Sequence, residues 1–309
     1  MNVLSLFDGM SCGQLALQRS NIPVTKYYAS EIDKYAMKIT QKNFPNTIQL
    51  GSVVDIPSYE GIKGNKIDLL IGGSPCQGFS FAGKHLNFDD PRSKLFFEYV
   101  RLKKILKPKY FLLENVKMKK ESEDIITKYM GVKPIEINSS LVSAQNRKRL
   151  YWTNIPFKGQ PEDKGLVLKD ILEDDSVVDR DKALCIDANY FRGGTLKTYF
   201  GKSRRQLVFN RCVQVGEADI NGFDILKRVY SRCGKSPTLT TMSGGHREPK
   251  TIIDRDHWRK LTPLECERLQ TVPDNYTEGV SNSQRYKMLG NGWTVDVIAH
   301  ILKEVKHDI

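Results

Sequence analysis

No Cys-x-x-Cys pair occurs among the six cysteines (Cys12, Cys76, Cys185, Cys212, Cys233, Cys266), which removes the common zinc spacings and leaves no disulfide framework to read. The five histidines (His85, His246, His257, His300, His307) do not fall at ligand spacing either, so no metal site is expected. Apolar runs such as Ile67 to Gly73 and Tyr110 to Leu113 fall far short of the roughly 20 residues that a membrane-spanning helix needs. The amino terminus enters Val3-Leu4-Ser5-Leu6-Phe7 without a basic leader or a long apolar stretch, so no secretory signal is read and the expected compartment is the cytoplasm. Acidic residues are the scarcer charge, 36 Asp and Glu against 48 Lys and Arg, and the resulting +12 points to a polyanionic partner. A composition 39% hydrophobic and 27% charged over 309 residues excludes disorder, collagen and coiled coil, and the length suggests about two domains.

What is present begins with rhythm. From residue 1 to about 157, β-rich runs alternate with helical periodicity. Val3 to Phe7 precedes Gln14 to Arg19, Tyr27 to Ser30 precedes Asp33 to Asn43, and a Leu95 to Leu106 helix separates the strands Ile67 to Gly72 and Tyr110 to Glu114. This alternation predicts an α/β protein with a largely parallel sheet covered by helices on both faces. After Lys158 the pattern shortens into an acidic stretch (Asp170, Glu173, Asp174, Asp175, Asp179, Asp181) and then a basic one, where a second, smaller domain is expected. Between Ala188 and Gly216 the cations Arg192, Lys197, Lys202, Arg204, Arg205 and Arg211 interleave with Tyr190, Phe191, Tyr199, Phe200 and Phe209, without an Asp or Glu. That composition suits a nucleic-acid surface, and equally a solvated loop over buried aromatics. Thr262-Pro263-Leu264-Glu265 spells a helix start, and from about Thr294 a last helix carries Val295, Ile298, Ile301, Leu302 and Val305 on one face.

Four segments carry candidate chemistry. Phe7-Asp8-Gly9-Met10-Ser11-Cys12-Gly13 is a glycine turn between strand and helix, suited to a nucleotide-like ligand or merely to positive φ, and Glu31 ends the next strand where an acid can hold two ribose hydroxyls. Gly72-Gly73-Ser74-Pro75-Cys76-Gln77-Gly78 sets a cysteine at the carboxyl edge of the sheet, where open α/β sheets bind ligands. A free thiol is already a strong nucleophile, although a lone cysteine is more often a small buried hydrophobe. Tyr110 to Val116 is an apolar strand ending in Glu114-Asn115, and an apolar setting would raise a glutamate above its usual ~4.3 toward proton transfer near neutrality. Gln145-Asn146-Arg147-Lys148-Arg149 puts two arginines at alternate positions, suited to anions or a carbonyl oxygen.

In this order the segments resemble the DNA (cytosine-5) methyltransferase family over nearly the whole chain, roughly 160 to 230 excepted. The matching stretches are Phe7-x-Gly9, Glu31, Ser74-Pro75-Cys76-Gln77, Glu114-Asn115-Val116, Gln145-x-Arg147-x-Arg149, Arg259-x-Leu261-Thr262-Pro263-x-Glu265-Cys266-x-Arg268-Leu269-Gln270, and Gly290-Asn291. The resemblance implies a Rossmann-like methyltransferase sheet at 1–157, a target-recognition domain at 158–257, and a hinge and C-terminal segment at 258–309 that returns to the first. It implies Cys76 as nucleophile toward cytosine C6, Glu114 at N3 and the exocyclic amine, Arg149 at the O2 side, and Arg147 fixing phosphate or the loop. S-adenosylmethionine is the implied methyl donor, with Phe7, Asp8, Gly9, Met10, Glu31, Ile32, Ser52, Val53, Pro75, Leu95, Asn291 and Trp293 around it. Duplex DNA would meet Gln77, Ser80, Arg92, Arg192, Lys202, Arg204 and Arg205, with the target base flipped under a mobile 80–94 loop. A monomer acting in a restriction-modification setting, in a bacterial or phage-infected cell, is the corresponding expectation.

Two positions depart from the family pattern. Gly51-Ser52-Val53 stands where the family has Gly-Asp-hydrophobic, leaving Ser52 or Asp55 to meet the adenine amino group. Gly292-Trp293 follows Gly290-Asn291 where many bacterial members have Ser-Val, and the tryptophan resembles the eukaryotic de novo branch, as does Val142-Ser143-Ala144. Transfer RNA, the substrate of one branch, and a DNA-binding module without turnover are the alternative functions.

Overall fold

The computed structural model describes residues 1–56, 62, 65–74, 91–193, 195–209, 214–217, 228–231, 250–252 and 258–306, with the backbone alone for 91–94, 214–217, 228–231 and 250–252. Seven described strands form one sheet: β1 (Asn2–Leu6), β2 (Lys26–Ser30), β3 (Ile48–Gln49), β4 (Leu69–Gly73), β5 (Tyr110–Val116), β6 (Ile135–Asn138) and β7 (Lys148–Thr153). Their order is β3-β2-β1-β4-β5-β7-β6. The first five run parallel, and β7 lies antiparallel between β5 and β6. The strand order reverses between β1 and β4, the crevice where open α/β sheets hold ligands.

Alternation along each strand divides the core in two. Val3, Leu69, Ile71 and Leu112 enter one apolar cluster together with Leu15 and Ala16 of α1 (Cys12–Arg19) and Ile39 of α2 (Lys34–Asn43). Leu4, Leu6, Leu70, Phe111 and Leu113 point the other way, onto Phe96, Tyr99 and Leu102 of α3 (Pro91–Leu106) and Ile126 and Met130 of α4 (Lys120–Met130). Period-two burial on both faces is what a sheet covered by helices on each side demands. Local chemistry sets the helix starts: the Asp33 carboxylate accepts from the Tyr35 amide at 2.9 Å and caps α2.

Beyond β7 come α5 (Leu196–Lys202), β8 (Leu207–Phe209), β9 (Gln214–Glu217), β10 (Arg228–Ser231), β11 (Lys250–Ile252) and β12 (Trp258–Lys260). β8 pairs antiparallel with β12, and β9, β10 and β11 form a three-stranded sheet. Leu168, Ile171, Ala183, Ile186 and Tyr190 are buried in the same cluster as α1. The Ala183 amide donates to Ala144 O at 2.7 Å, and Asn146 N to Ala183 O at 2.9 Å, so this stretch is laced to the Gln145 segment.

The chain then returns through α6 (Pro263–Leu269), α7 (Asn282–Asn291) and α8 (Val295–Leu302). The expected capping box is present, with Thr262 Oγ1 accepting from Glu265 N at 3.1 Å and Glu265 Oε2 from Thr262 N at 2.8 Å. Val295, Ile298, Ile301, Leu302 and Val305, the face read from the sequence, are all buried. They pack on α1, where Arg19 meets Asp296 at 2.5 Å and Ser20 Oγ donates to Ala299 O at 3.0 Å. No helix among the described residues is long and apolar enough to cross a membrane.

Candidate active site

Register builds the acid side of the site. Gly73 at the end of β4 pairs with Glu114 of β5, and Glu114 pairs with Tyr151 of β7, while Val116 pairs with Arg149. Glu114 and Arg149 are therefore diagonal neighbours on one face, within reach of long side chains. Arg149 Nε lies 3.0 Å from Glu114 Oε1, and both side chains are largely buried. On the other oxygen, Oε2, the Trp293 indole Nε1 donates at 3.1 Å. The apolar surroundings expected for Glu114 are thus polar at the carboxylate itself, supplied by one guanidinium and one indole N–H. A Cβ on Gly73 would fall 2.9 Å from Glu114 Oε2 and 2.9 Å from Trp293 Nε1, so glycine keeps the place of that contact open.

Burial and then repulsion from Arg149 lower the pKa of Arg147, whereas in Arg149 burial is outweighed by the Glu114 carboxylate and the pKa rises. The two arginines also differ in what they touch. Arg147, 3% exposed, donates from one terminal nitrogen to Ile186 O at 3.0 Å and Cys185 Sγ at 3.3 Å. Its other terminal nitrogen donates to Gly290 O at 3.1 Å and Gly292 O at 2.8 Å. This is a buried strut between the 183–187 stretch and the C-terminal segment, a holding role beside the two expected for Arg147, phosphate or the loop.

The nucleophile candidate Cys76, with Pro75, Gln77 and Ser80, lies outside the described residues, and the side chain of Arg92 does as well. Ser74, two residues before Cys76 in the chain, is described. Asn115 Nδ2 donates to Ser74 O at 3.3 Å and to Ser74 Oγ at 3.2 Å, both groups buried. Asn115 therefore pins the exit of β4 to the strand that carries Glu114, a role that its place beside the acid did not reveal.

On the other side of the sheet crossover, β1 ends in a turn with Phe7 at φ 57°, Gly9 at 60° and Ser11 at 61°. Glu31 locks this turn: its Oε2 accepts from Gly9 N at 2.8 Å, and its Oε1 from Ile32 N at 2.7 Å and Asp33 N at 2.8 Å. Ile32 is 77% exposed beside it, an aliphatic face available to a planar ring. Ser52 Oγ accepts from Val54 N at 3.3 Å and caps the short turn Val53–Asp55, and Asp55 is exposed. Phe7 and Leu95 pack half-buried on one core cluster, Asn291 is exposed at the end of α7, and Trp293 is half-buried. The side chains of Met10 and Val53, also expected near the donor, are buried in core clusters.

Asp8 sits inside the turn, accepting from Tyr27 OH at 2.7 Å and from Ser11 Oγ. Burial pushes its carboxyl up to about 6, against the lowering effect of hydrogen bonds from Ser11, Ser5 and Tyr27. Cys12, at the start of α1, is pushed up to about 12 by burial and is inert as a nucleophile.

Of the cations read as a DNA surface, Arg192, Lys202 and Arg204 are exposed. Arg205 is half-buried at φ 61° and donates to Gly193 O at 2.5 Å. Phe200, not singled out as a contact from the sequence, is 60% exposed and stacks on Phe209 with centroids 6.3 Å apart. Among the described residues no cluster of His, Cys, Asp and Glu is arranged to hold a metal ion.

A mostly parallel sheet with an antiparallel β6–β7 edge, and a buried acid and arginine beside the strand crossover, define a Rossmann-like methyltransferase fold. The family model for C-5 cytosine-specific DNA methylase matches residues 1–307, and the chain belongs to that family of DNA cytosine methyltransferases. It is 29% identical to the orphan methyltransferase M.SPBetaI of Bacillus phage SPbeta, over 99% of this chain and 98% of that one. It is 30% identical to the type II methyltransferase M1.ScrFI of Lactococcus lactis subsp. cremoris, over 98% of this chain and 77% of that one. The solved structure of the Entamoeba histolytica methyltransferase EhMeth shares the fold, with a TM-score of 0.70 at 20% identity and 99% of each chain covered.

Proposed function

We propose that this enzyme transfers a methyl group from S-adenosylmethionine to C5 of a cytosine rotated out of a specific duplex DNA sequence, with Cys76 as transient nucleophile. The observation that carries the reading is the Glu114 carboxylate, buried at the strand edge between Arg149 and Trp293 and in register with the Gly73-Ser74 exit that leads to Cys76.

The residues of the β1 turn suit the donor. Glu31 fixes the backbone of Gly9 and Ile32 offers its exposed face to an adenine; Phe7, Asp8, Met10, Ser52, Val53, Leu95 and Asn291 are the further donor-site residues of this reading. When bound, the donor supplies an electrophilic methyl group. Addition of the Cys76 thiolate to C6 moves electron density toward C5 and N3, which Glu114 meets by protonating or hydrogen-bonding N3 and the exocyclic amine while Arg149 faces O2. The enriched C5 takes the methyl group, leaving the donor sulfur as a neutral thioether. A base then removes the C5 proton, the electron pair expels the thiolate, and N3 gives back any proton it has taken, which restores the aromatic ring and the free cysteine. A base inside the duplex stack is out of reach of this attack, so the target cytosine is flipped.

Residues 1–157 form the catalytic domain in this reading, 158–257 the recognition domain, and 258–309 the returning segment. Gln77, Ser80, Arg92, Arg192, Lys202 and Arg204 face the DNA, and one chain acts alone in the cytoplasm. Duplexes carrying 5-fluorocytosine test the mechanism, because fluorine blocks the final elimination. With labelled donor present, the wild type becomes covalently attached to such DNA and Cys76→Ser does not. Wild-type protein that never forms the adduct on DNA whose methylation bisulfite sequencing has established would overturn the reading. Parallel assays with transfer RNA are expected to show no methylation.

A further inference from the structure

Trp293 occupies a place that a donor wall alone does not require. Its indole spans the site: at one end Cζ3 lies 3.6 Å from the position of a Cβ on Gly13, in the turn that opens α1, and at the other end Nε1 donates to Glu114 Oε2 at 3.1 Å. Arg149 holds the opposite carboxylate oxygen at 3.0 Å. Two N–H donors from separate chain segments thus fix the plane of the carboxylate. Its oxygens have about four lone-pair positions, so acceptor capacity remains toward a base.

The indole is itself held from both flanks. Gly292 O accepts from Arg147 at 2.8 Å and from Gln270 Nε2 at 3.2 Å. Thr294 Oγ1 donates to Gln270 Oε1 and accepts from Ser139 Oγ, both at 2.9 Å and both buried. The absent Cβ at Gly73 leaves the remaining side of the contact clear.

We propose that Trp293 is a positioning residue of the transfer reaction, its indole N–H setting the orientation in which Glu114 meets the N3 edge of the flipped cytosine. This rests on the proposed role of Glu114, and it ties that acid to the segment bordering the donor.

Trp293→Phe keeps a ring in place and removes the N–H. Loss of a hydrogen bond to a charged group predicts a fall in kcat of about ten- to hundredfold. Donor affinity by calorimetry and KM for DNA stay within about threefold of the wild type. Gly73→Ala, which drives a methyl group between the same two atoms, reproduces the kcat loss. In a Glu114→Gln background the Trp293→Phe change alters the residual rate by less than about twofold, the non-additivity of a contacting pair. Spectroscopy reads the contact independently of activity. The chain has three tryptophans, and Glu114→Gln should move the assigned indole N–H resonance of Trp293 upfield. The indole of Trp152, which donates to Thr127 Oγ1 at 3.0 Å, should stay in place. An unmoved Trp293 resonance, or equal losses in both backgrounds, overturns the proposal, as does a Trp293→Phe enzyme with weakened donor binding and unchanged kcat. Failure of the wild type to trap 5-fluorocytosine DNA would instead strike the underlying mechanism, and the resonance shift would still decide this contact.

Discussion

Replacing Arg147 separates a strut from a DNA ligand. Its guanidinium holds Ile186 O, Gly290 O and Gly292 O; Gly292 O keeps a second side-chain donor in Gln270 and Ile186 O a weak one in the Cys185 thiol. Hydrogen bonds to a charged group contribute about 1.5–3 kcal/mol each, and removing one partner of a buried ionic cluster typically costs about 3–5 kcal/mol. One carbonyl stripped of its side-chain donor, and two left with a single weaker one, place Arg147→Ala at about 3 kcal/mol. With a urea slope of about 3 kcal/mol per molar, the unfolding midpoint should fall by about 1 M without a change in slope. Arg147→Lys should recover less than half of that, since one ammonium cannot span Ile186 and the 290–292 turn as a planar fork does. The salt dependence of DNA binding should be the same in all three proteins, because a strut releases no counterions. Stability within about 0.5 kcal/mol of wild type, joined to a salt slope smaller by about one, would refute the strut and restore a phosphate contact.

Two further predictions follow from the charged groups. Asp8 is raised from 3.8 to about 6 by burial, so its contribution to stability is present at acidic pH and is lost as pH rises through about 6. Asp8→Asn removes that titration, and its stability relative to the wild type should grow by up to about 3 kcal/mol between pH 4 and pH 8 in urea unfolding; a flat difference would contradict it. Arg204, exposed, should lower the slope of log K against log salt by about one when replaced by alanine. Arg205→Ala, which loses the bond to Gly193 O, should leave that slope nearly unchanged, and equal slopes for the two variants would show that both meet phosphate.

Local interactions explain what could be read in advance. Strand alternation, the Thr262 to Glu265 capping box and the apolar face of α8 depend on residues within a turn or two of each other, so their signals lie in adjacent letters. The α/β class and the place of Glu114 at a strand end followed from such signals. What Glu114 touches did not, because Trp293 lies 179 positions away and Arg149 arrives on an antiparallel edge strand. Arg147 and Arg149 look equivalent as alternate cations, yet one has three carbonyls within reach and the other a carboxylate. Met10 and Val53 match a donor motif by position while their side chains serve the core. The same limit applies to Arg205, whose partner Gly193 is brought near by the turn at α5.

These contacts give the C-terminal segment a definite task. Residues 289–294 are held by Gln270 and Arg147, and α8 is buried against α1, so the end of the chain belongs to the same packed body as its first strand. A Cβ on Gly290 would fall 2.3 Å from Asp187 O, so the last turn of α7 also lies directly on the 183–190 stretch that leads into the basic region. Arg147 joins the same two segments from the β7 side. The stretch entering the basic region and the 289–294 segment therefore share one buried hydrogen-bond system with the Glu114 strands. A shift of the 183–190 stretch would have to break charge-assisted bonds to Ile186 O and displace Gly290 before Trp293 could leave Glu114. Tight backbone contact and a planar guanidinium make that joint stiff, which suits the proposed role of Glu114, since a positioned catalytic group must be held within about half an ångström.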